Sequence, residues 1–185
     1  MESIKPYNTL FLDRDGVINV HRPDDYVKSV DAFVFIDRVP EAIALLAPLF
    51  KYILIVTNQR GVGKGLMSRQ DLEDIHHFMQ QQIVSAGGRI DRIYVATETD
   101  PAHRNRKPHT GMIVQAQKDF PDIDLASSWV VGDSISDMQL ANNAGIPAVL
   151  LGDKYMPEEI SNLRIHASYP DLYTFAQRIL LNPLV

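Results

Sequence analysis

Five short apolar runs, separated by segments with helical periodicity, constrain the fold of this chain more than any other feature. The runs lie at about residues 8–12, 52–57, 93–97, 129–133 and 148–151. The run at 52–57 is apolar without alternation, which is typical of a strand covered on both faces. Strands of this kind that alternate with helices assemble into a parallel sheet through βαβ units. The pattern therefore predicts an α/β fold with a central parallel sheet.

The segments between the runs are predicted to be mainly helical. We expect helices at residues 39–50, from an N-cap at Ser68 to about 86, at 111–120, from about 137 to 143, and at 171–181. Residues 16–38 have no regular pattern and are predicted to form loops over one end of the sheet. The 185 residues contain no repeat, low-complexity tract or linker-like change in composition. We therefore expect residues 1–185 to form a single domain.

Acidic or polar residues follow three of the apolar runs. Asp13 and Asp15 come directly after the first run, Thr57 and Asn58 end the second, and Asp133 ends the fourth. Right-handed crossovers place the carboxyl ends of parallel strands on one edge of the sheet. We therefore expect these side chains to meet at that edge, although they lie far apart in sequence.

A basic loop that contains Arg106 and Lys107 opens at the same edge after the third run, and Asp137 follows four residues after Asp133. Three acids at strand ends make an oxygen-rich site that suits Mg²⁺ together with a substrate phosphate. A carboxylate can itself act as a nucleophile, while a second one donates a proton to the leaving oxygen and recovers a proton from water. The sequence thus predicts Mg²⁺-dependent chemistry on a phosphate, whose oxygens Lys107 would neutralise.

Each of these features also has an ordinary structural explanation when it is taken alone. Asp-x-Asp-Gly is common in turns, Thr57-Asn58 can simply end a strand, and Asp137 can cap a helix. Two other functions stay open. The glycine-rich run at 61–65 would suit a nucleotide-binding or kinase-type protein, although its spacing fits neither a Walker A loop nor the dinucleotide fingerprint. The site would also suit a phosphate-binding interaction module without catalysis.

Taken together, the motifs resemble those of the haloacid dehalogenase (HAD) superfamily of phosphohydrolases over about residues 8–152. Asp13-Arg14-Asp15-Gly16-Val17 resembles the first motif, Thr57-Asn58 the second, Lys107 the third, and Gly132-Asp133 with Asp137 the fourth. The resemblance implies a HAD-like, Rossmann-like three-layer sandwich around the parallel sheet. Only a loop and one helix fit between the first two motifs. We therefore expect no separate cap domain, and an open site shaped by loops at 19–31, 60–66 and 98–109.

The resemblance also implies roles for the motif residues. Asp13 would be the nucleophile that forms an aspartyl-phosphate, and Asp15 would be the general acid/base. Asp13, the backbone carbonyl of Asp15, and Asp133 would hold Mg²⁺. Thr57 and Lys107 would bind the transferred phosphoryl group, with Asp137 supporting Lys107 or the metal shell. Independently of the resemblance, the Asn58 amide can also hydrogen-bond phosphate oxygens.

The finer resemblance is to D-glycero-D-manno-heptose-1,7-bisphosphate phosphatases and the related histidinol-phosphatase domains. It rests on residues 11–19, 56–59 and 106–112, and the residues after Pro108 favour the heptose branch. This branch implies removal of the 7-phosphate from D-glycero-D-manno-heptose 1,7-bisphosphate, with Arg106 contacting substrate. Histidinol phosphate or another small sugar phosphate is the alternative. Many members of the branch carry a zinc site of three cysteines and a histidine before the motif lysine. The present chain has no cysteine there, so we expect no structural zinc.

Charge and composition argue against several other partners. The net charge of −5 disfavours general affinity for nucleic acids or membranes. No apolar run approaches the ~20 residues needed to cross a bilayer, and the first residues lack the apolar centre of a signal peptide. The absence of cysteine excludes disulfides. We expect a cytoplasmic monomer that acts on a small phosphorylated metabolite.

Overall fold

A six-stranded parallel sheet forms the centre of this computed structural model, which describes residues 7–23 and 25–182. Its strands are β1 (Tyr7–Leu12), β2 (Phe50–Asn58), β3 (Arg92–Ala96), β4 (Trp129–Gly132), β5 (Ala148–Leu151) and β6 (Ala167–Tyr169). They lie in the order β3-β2-β1-β4-β5-β6, and each neighbouring pair is parallel. The predicted parallel α/β sheet is therefore confirmed. The strand order reverses between β1 and β4, where doubly wound sheets open a crevice for ligands.

Helices cover both faces of the sheet. They are α1 (Val39–Leu46), α2 (Arg60–Gly63), α3 (Arg69–Ser85), α4 (Gly111–Asp119), α5 (Ile135–Ala144), α6 (Pro157–Ile160) and α7 (Leu172–Leu181). Leu10 and Leu12 of β1 belong to the apolar core formed with α1, α3 and α7, whereas Phe11 belongs to the core formed with α4 and α5. Alternate side chains of one strand therefore enter two cores, which confirms the three-layer sandwich. None of the described helices is long and apolar enough to span a bilayer.

The first helix is shorter than the sequence predicts. α1 ends at Leu46, and β2 already begins at Phe50, which the pattern places at the end of the helix. Pro48 is poorly compatible with a helix interior. Phe50 is fully buried and stacks on Tyr7 with ring centroids 4.9 Å apart. The aromatic pair thus assigns Phe50 to the sheet, opposite Tyr7 in the β1–β2 register.

Capping boxes define the starts of α3 and α5. Ser68 accepts a hydrogen bond from the N–H of Asp71, and the Asp71 side chain accepts one from the N–H of Ser68, as the sequence predicts. Ser134 and Asp137 form the same arrangement at α5. Because Ser134 is the cap, α5 begins earlier than the predicted start near Asp137. Asp137 consequently lies in the first turn of a helix, where its carboxylate is fixed.

The glycine-rich run after β2 has a packing explanation. It forms the one-turn helix α2, where the sequence predicts a loop. A Cβ on Gly63 would lie 2.0 Å from the carbonyl oxygen of Thr97, just beyond β3. Glycine is therefore required for α2 to pack against this strand end. The short elements β6 and α6 were likewise absent from the predicted pattern, because three or four residues carry too little periodicity to be recognised.

The segment between β1 and α1 contains no helical domain within its described residues, 13–23 and 25–38. Its one helical stretch is the three-residue 3₁₀ turn Val30–Ala32. Asn19 bridges to both Asp15 and Phe35, so the segment folds back over the end of β1. Within these described residues, a loop therefore covers the carboxyl edge of the sheet at β1.

Candidate active site

Lys107 lies between two buried carboxylates at the carboxyl edge of the sheet. Its Nζ is 2.8 Å from Oδ1 of Asp13 and 2.6 Å from Oδ1 of Asp137. Burial and the charge of Asp137 raise the pKa of Asp13 to about 8, against the opposing effect of Lys107. Burial alone would lower the pKa of Lys107, but the two carboxylates raise it, so the lysine stays charged. The ionised form of Asp13 therefore depends on nearby positive charge.

Four hydrogen bonds hold the carboxylate of Asp15. Arg14 Nη2 donates to both of its oxygens at 3.0 Å, Asn19 Nδ2 donates to Oδ1 at 2.9 Å, and Gln59 Nε2 donates to Oδ2 at 2.7 Å. Burial alone would raise the pKa of Asp15, but the charge of Arg14 and these hydrogen bonds outweigh burial and lower it. Asp15 is therefore held as an anion by charge-assisted hydrogen bonds.

His76 of α3 supports Asp15 indirectly, through Arg14. Arg14 is only 1% exposed, and its Nη1 lies 3.2 Å from Nε2 of His76. Burial and the neighbouring Arg14 guanidinium lower the pKa of His76 to about 3. The ring is therefore neutral, and because a guanidinium can only donate, Nε2 accepts the hydrogen bond. His76 thus holds Arg14 in the position from which it binds Asp15.

Asp133 follows β4 and faces the loop after β1. Lys154 Nζ lies 2.5 Å from its Oδ2. Burial raises the pKa of Asp133, and Lys154 opposes that rise. Gly16 has a φ of +86°, and a Cβ there would lie 2.2 Å from Asp133 Oδ2. Only glycine therefore allows the turn after Asp15 to approach this carboxylate.

The acids at this edge form a donor set that fits a hard divalent cation. One oxygen from each of Asp13, Asp133 and Asp137 lies within 4.8 Å of the others. Carboxylate oxygens are the protein ligands that Mg²⁺ prefers. Both oxygens of Asp137 are engaged, Oδ1 by Lys107 and Oδ2 by Ser134, whereas the two lysines contact only one oxygen each of Asp13 and Asp133. The side chain of Asp15 is already bound by donors of Arg14, Asn19 and Gln59, so its carboxylate is less available to an ion.

Thr57 and Asn58 end β2 beside this cluster. The Thr57 hydroxyl accepts a hydrogen bond from Gln59 Nε2 at 2.9 Å. The Asn58 amide contacts the backbone of Lys107 twice: its Oδ1 accepts from the Lys107 N–H at 3.0 Å, and its Nδ2 donates to the Lys107 carbonyl at 3.3 Å. Asn58 therefore positions the lysine, in addition to lining the cavity.

The loop before Lys107 is held by hydrogen bonds among its own residues. Arg106 Nη1 donates to the carbonyl of Thr99 at 2.6 Å, and the N–H of Asn105 donates to Nδ1 of His103 at 3.3 Å. The predicted substrate contact Arg106 is not among the described residues that line the cavity beside Asp13. Its guanidinium is instead engaged with the loop backbone.

A cavity of about 180 Å³ opens above Asp13. Its lining comprises Asp13, Asp15, His21, Arg22, Asp25, Tyr26, Val27, Asn58, Lys107, Asp133, Ser134, Ser136 and Lys154. The structure thus brings Asp13, Asp15, Lys107 and Asp133 to one cavity, with Asp137 directly behind Lys107. Carboxylates next to a lysine and a cation-binding cluster can bind a phosphate, attack it and move a proton.

Several residues of the site were missed by sequence reasoning. Lys154 follows β5, so the rule that selected polar residues after the other strands would also have selected it. Gln59 directly follows Thr57-Asn58 and is close enough in sequence to have been included. Arg14 and His76 carry no comparable signal, because their burial and their contact depend on how α3 packs against the sheet.

Known proteins are similar to this chain in sequence over most of its length. A family model described as HAD-hydrolase-like matches residues 104–174. The chain is 38% identical over 172 residues to a D-glycero-alpha-D-manno-heptose-1,7-bisphosphate 7-phosphatase of Mycobacterium bovis, covering 90% of this chain and 88% of the relative. It is 36% identical over 177 residues to a D-glycero-beta-D-manno-heptose-1,7-bisphosphate 7-phosphatase of Neisseria meningitidis, covering 92% of this chain and 94% of the relative.

A solved structure with the same fold supports the comparison. The D,D-heptose 1,7-bisphosphate phosphatase from B. bronchiseptica, complexed with magnesium and phosphate, superimposes with a TM-score of 0.84. It is 30% identical to this chain, and the alignment covers 94% of this chain and 98% of that one. The similarity therefore extends over nearly the whole of both chains.

Proposed function

Because this chain belongs to the heptose-bisphosphate phosphatases of the HAD superfamily, we propose that it is a Mg²⁺-dependent phosphomonoesterase that removes the 7-phosphate from D-glycero-D-manno-heptose 1,7-bisphosphate. The observation that carries the proposal is the placement of Asp13. This carboxylate directly follows the central strand β1, lies 2.8 Å from Lys107, and shares a cation-binding cluster with Asp133. A nucleophile, a fixed positive charge and a metal-binding cluster therefore occupy one cavity.

Asp13 supplies the nucleophile in this proposal. One of its oxygens forms a bond to phosphorus while the bond from phosphorus to the sugar oxygen breaks, which leaves an aspartyl-phosphate and the sugar. Lys107 stabilises the phosphoryl oxygens from one side, together with Thr57 and Asn58 at the end of β2. Water then attacks the phosphorus and releases inorganic phosphate, which restores the Asp13 carboxylate.

Asp15 moves the proton in both steps. It protonates the departing sugar oxygen and later takes a proton from the attacking water. Its pKa is low in the structure because Arg14, Asn19 and Gln59 stabilise the anion. A phosphate dianion beside it would raise that pKa, since like charges favour the protonated carboxyl. Substrate binding itself would therefore prepare Asp15 to act as an acid.

Mg²⁺ would be held by Asp13, Asp133 and the backbone carbonyl of Asp15. When bound, the ion neutralises phosphate oxygens as charge develops during transfer. Asp137 supports the site through Lys107, since its Oδ2 is engaged by Ser134 and its Oδ1 by the lysine. Arg106 would contact substrate from the loop before Lys107, if its guanidinium leaves the carbonyl of Thr99.

A substrate comparison tests the proposed function. We expect phosphate release from heptose 1,7-bisphosphate with a kcat/KM at least about tenfold above that for histidinol phosphate or a hexose phosphate, because the relatives are named for the bisphosphate. Relatives are named for both anomers, so the α and β anomers are assayed separately. A clearly higher kcat/KM for histidinol phosphate or for a hexose phosphate would refute the proposed substrate.

Metal removal tests the cofactor. Activity is expected to be lost after treatment with EDTA and to return with Mg²⁺, because the donor set consists of carboxylate oxygens. Elemental analysis of the purified protein is expected to find no tightly held zinc, because the loop before Lys107 offers no thiolate. Stoichiometric zinc that survives dialysis against a chelator would contradict the second expectation.

We also propose that the chain acts as a single-domain cytoplasmic monomer, without a nucleic-acid or membrane partner. The net charge of −5 supports the absence of those partners. Light scattering at several protein concentrations measures the oligomeric state directly.

A further inference from the structure

Arg14 is a buried cation inside the first motif that touches Asp15 directly. Its side chain is 1% exposed, and its buried Nε has no hydrogen-bond partner within residues 7–23 and 25–182. Two contacts among these residues orient the guanidinium. Its Nη2 donates to both oxygens of Asp15 at 3.0 Å, and its Nη1 lies 3.2 Å from Nε2 of His76. The position of this charge therefore depends on Asp15 and His76 together.

His76 engages a nitrogen that an arginine commonly gives to a carboxylate. Arginine–carboxylate pairs frequently use two nitrogens, each donating to a different oxygen. Here Nη2 alone serves both oxygens of Asp15, while Nη1 is directed at the imidazole of α3. The direction from which Arg14 holds Asp15 is thus set in part by a residue 62 positions away.

A neutral acceptor suits this position better than an acidic one. Burial and the Arg14 guanidinium lower the pKa of His76, so its ring is uncharged. A carboxylate at position 76 would compete with Asp15 for the positive charge of Arg14, whereas an uncharged imidazole fixes the guanidinium and leaves its charge to Asp15. His76 is buried and is not among the described residues that line the cavity, so it can influence the reaction through Arg14.

We infer that His76 is a positioning residue for proton transfer by Asp15 and acts through Arg14. The inference rests on the proposed function, in which Asp15 protonates the departing sugar oxygen. A guanidinium released from His76 could rotate and carry the Asp15 carboxylate with it, and a misplacement of about 1 Å can cost about 10²-fold in rate. The cost should depend on the leaving group, because a sugar alkoxide needs the proton and p-nitrophenolate departs readily without it.

The dependence on leaving group tests the inference. His76→Phe keeps an aromatic ring but removes the acceptor, and its kcat/KM for heptose 1,7-bisphosphate is expected to fall about ten- to a hundredfold. Its kcat/KM for p-nitrophenyl phosphate should stay within about threefold, because this constant reports the steps through formation of the aspartyl-phosphate. His76→Gln should recover most of the loss, since a glutamine Oε1 can accept from Arg14. His77→Phe is the matched control, because the neighbouring His77 is exposed.

Arg14→Lys tests the same contact from the other partner and carries the test even if His76→Phe does not fold. A lysine keeps the charge beside Asp15 but lacks the planar fork that joins the two partners. It should show the same selective loss, and adding His76→Phe to it should lower kcat/KM little further, because both changes break one contact. A circular-dichroism melt accompanies each assay.

The outcomes separate this inference from the proposed function. Equal effects of His76→Phe on the two substrates, or a loss in His76→Gln as large as in His76→Phe, would overturn the positioning role and leave the phosphatase assignment standing. If the wild-type protein prefers another sugar phosphate, the proposed substrate fails, and the same comparison made with that ester decides the role of His76. If the wild-type protein hydrolyses no phosphate ester, the proposed function fails, and the positioning role fails with it.

Discussion

Replacing Asp13 by asparagine is expected to abolish phosphate release while leaving the fold intact. An amide cannot form the acyl phosphate, so kcat for the heptose bisphosphate should fall by at least about 10³-fold. The substitution also removes a carboxylate whose burial raises its pKa, and it leaves Lys107 paired with Asp137 at 2.6 Å. The thermal midpoint should therefore change little. Phosphate release and a circular-dichroism melt measure the two effects.

Asp31→Asn is the control for this experiment, because Asp31 is exposed and lies in the 3₁₀ turn before α1. It makes the same chemical change away from the cavity and should keep both activity and stability. Turnover by Asp13→Asn near the wild-type rate would refute the nucleophile assignment. A large loss of stability in Asp13→Asn would instead make its inactivity uninformative about chemistry, which is why the melt accompanies the assay.

Pre-steady-state kinetics distinguishes the two carboxylates of the first motif. With p-nitrophenyl phosphate, the leaving group needs little protonation, so Asp15→Asn should still release about one equivalent of p-nitrophenol in a burst before turnover stalls. Asp13→Asn should give no burst. Asp15→Asn should also be less stable, because an amide nitrogen would face the donors of Arg14, Asn19 or Gln59. Equal bursts from both variants would contradict the division of roles.

The part of this site that the sequence predicts consists of polar residues at the carboxyl ends of parallel strands. Asp13 and Asp133 each end an apolar run, and parallel strands that share an edge bring them within 4.8 Å. The same rule applied to the fifth run would have included Lys154. Periodicity also located α3 and its Ser68 cap, because the capping box is a local pattern. Features that one strand or one helix turn determines are therefore predictable from sequence.

The contacts of Arg14 and His76 that support Asp15 could not be predicted from the sequence. Arg14 stands between two aspartates, where a surface ion pair is the ordinary expectation, yet it is 1% exposed. Its burial requires His76, which lies 62 positions away on α3 and reaches Arg14 only because that helix packs on the sheet. Phe50 illustrates the same limit, since its stacking on Tyr7 decides whether it belongs to a helix or a strand. Contacts between elements that are far apart in sequence therefore determine both the burial of Arg14 and the assignment of Phe50 to a strand.

Replacing Lys107 by methionine is expected to damage stability and catalysis together. The side chain is 2% exposed and neutralises Asp13 and Asp137 at 2.8 and 2.6 Å. Removing one partner of a buried ion pair leaves uncompensated charge and costs about 3–5 kcal/mol in the free energy of unfolding. The pKa of Asp13 would rise further without the lysine, which disfavours the nucleophilic anion. Because Lys107→Met also loses the contact to the phosphoryl oxygens, we expect its kcat to fall about 10²- to 10⁴-fold.

The double variant Lys107→Met/Asp137→Asn separates these two effects. Asparagine at position 137 removes the carboxylate that Lys107→Met leaves without a counter-charge, and its oxygen can still accept the hydrogen bond from the Ser134 N–H that caps α5. The free energy of unfolding, measured in urea, should therefore recover by about half or more of the loss. Activity should stay at the level of Lys107→Met, because nothing replaces the ammonium group beside the phosphate. Recovery of phosphate release together with stability would show that Lys107 acts only by holding the two acids, and it would remove the lysine from the proposed phosphate site.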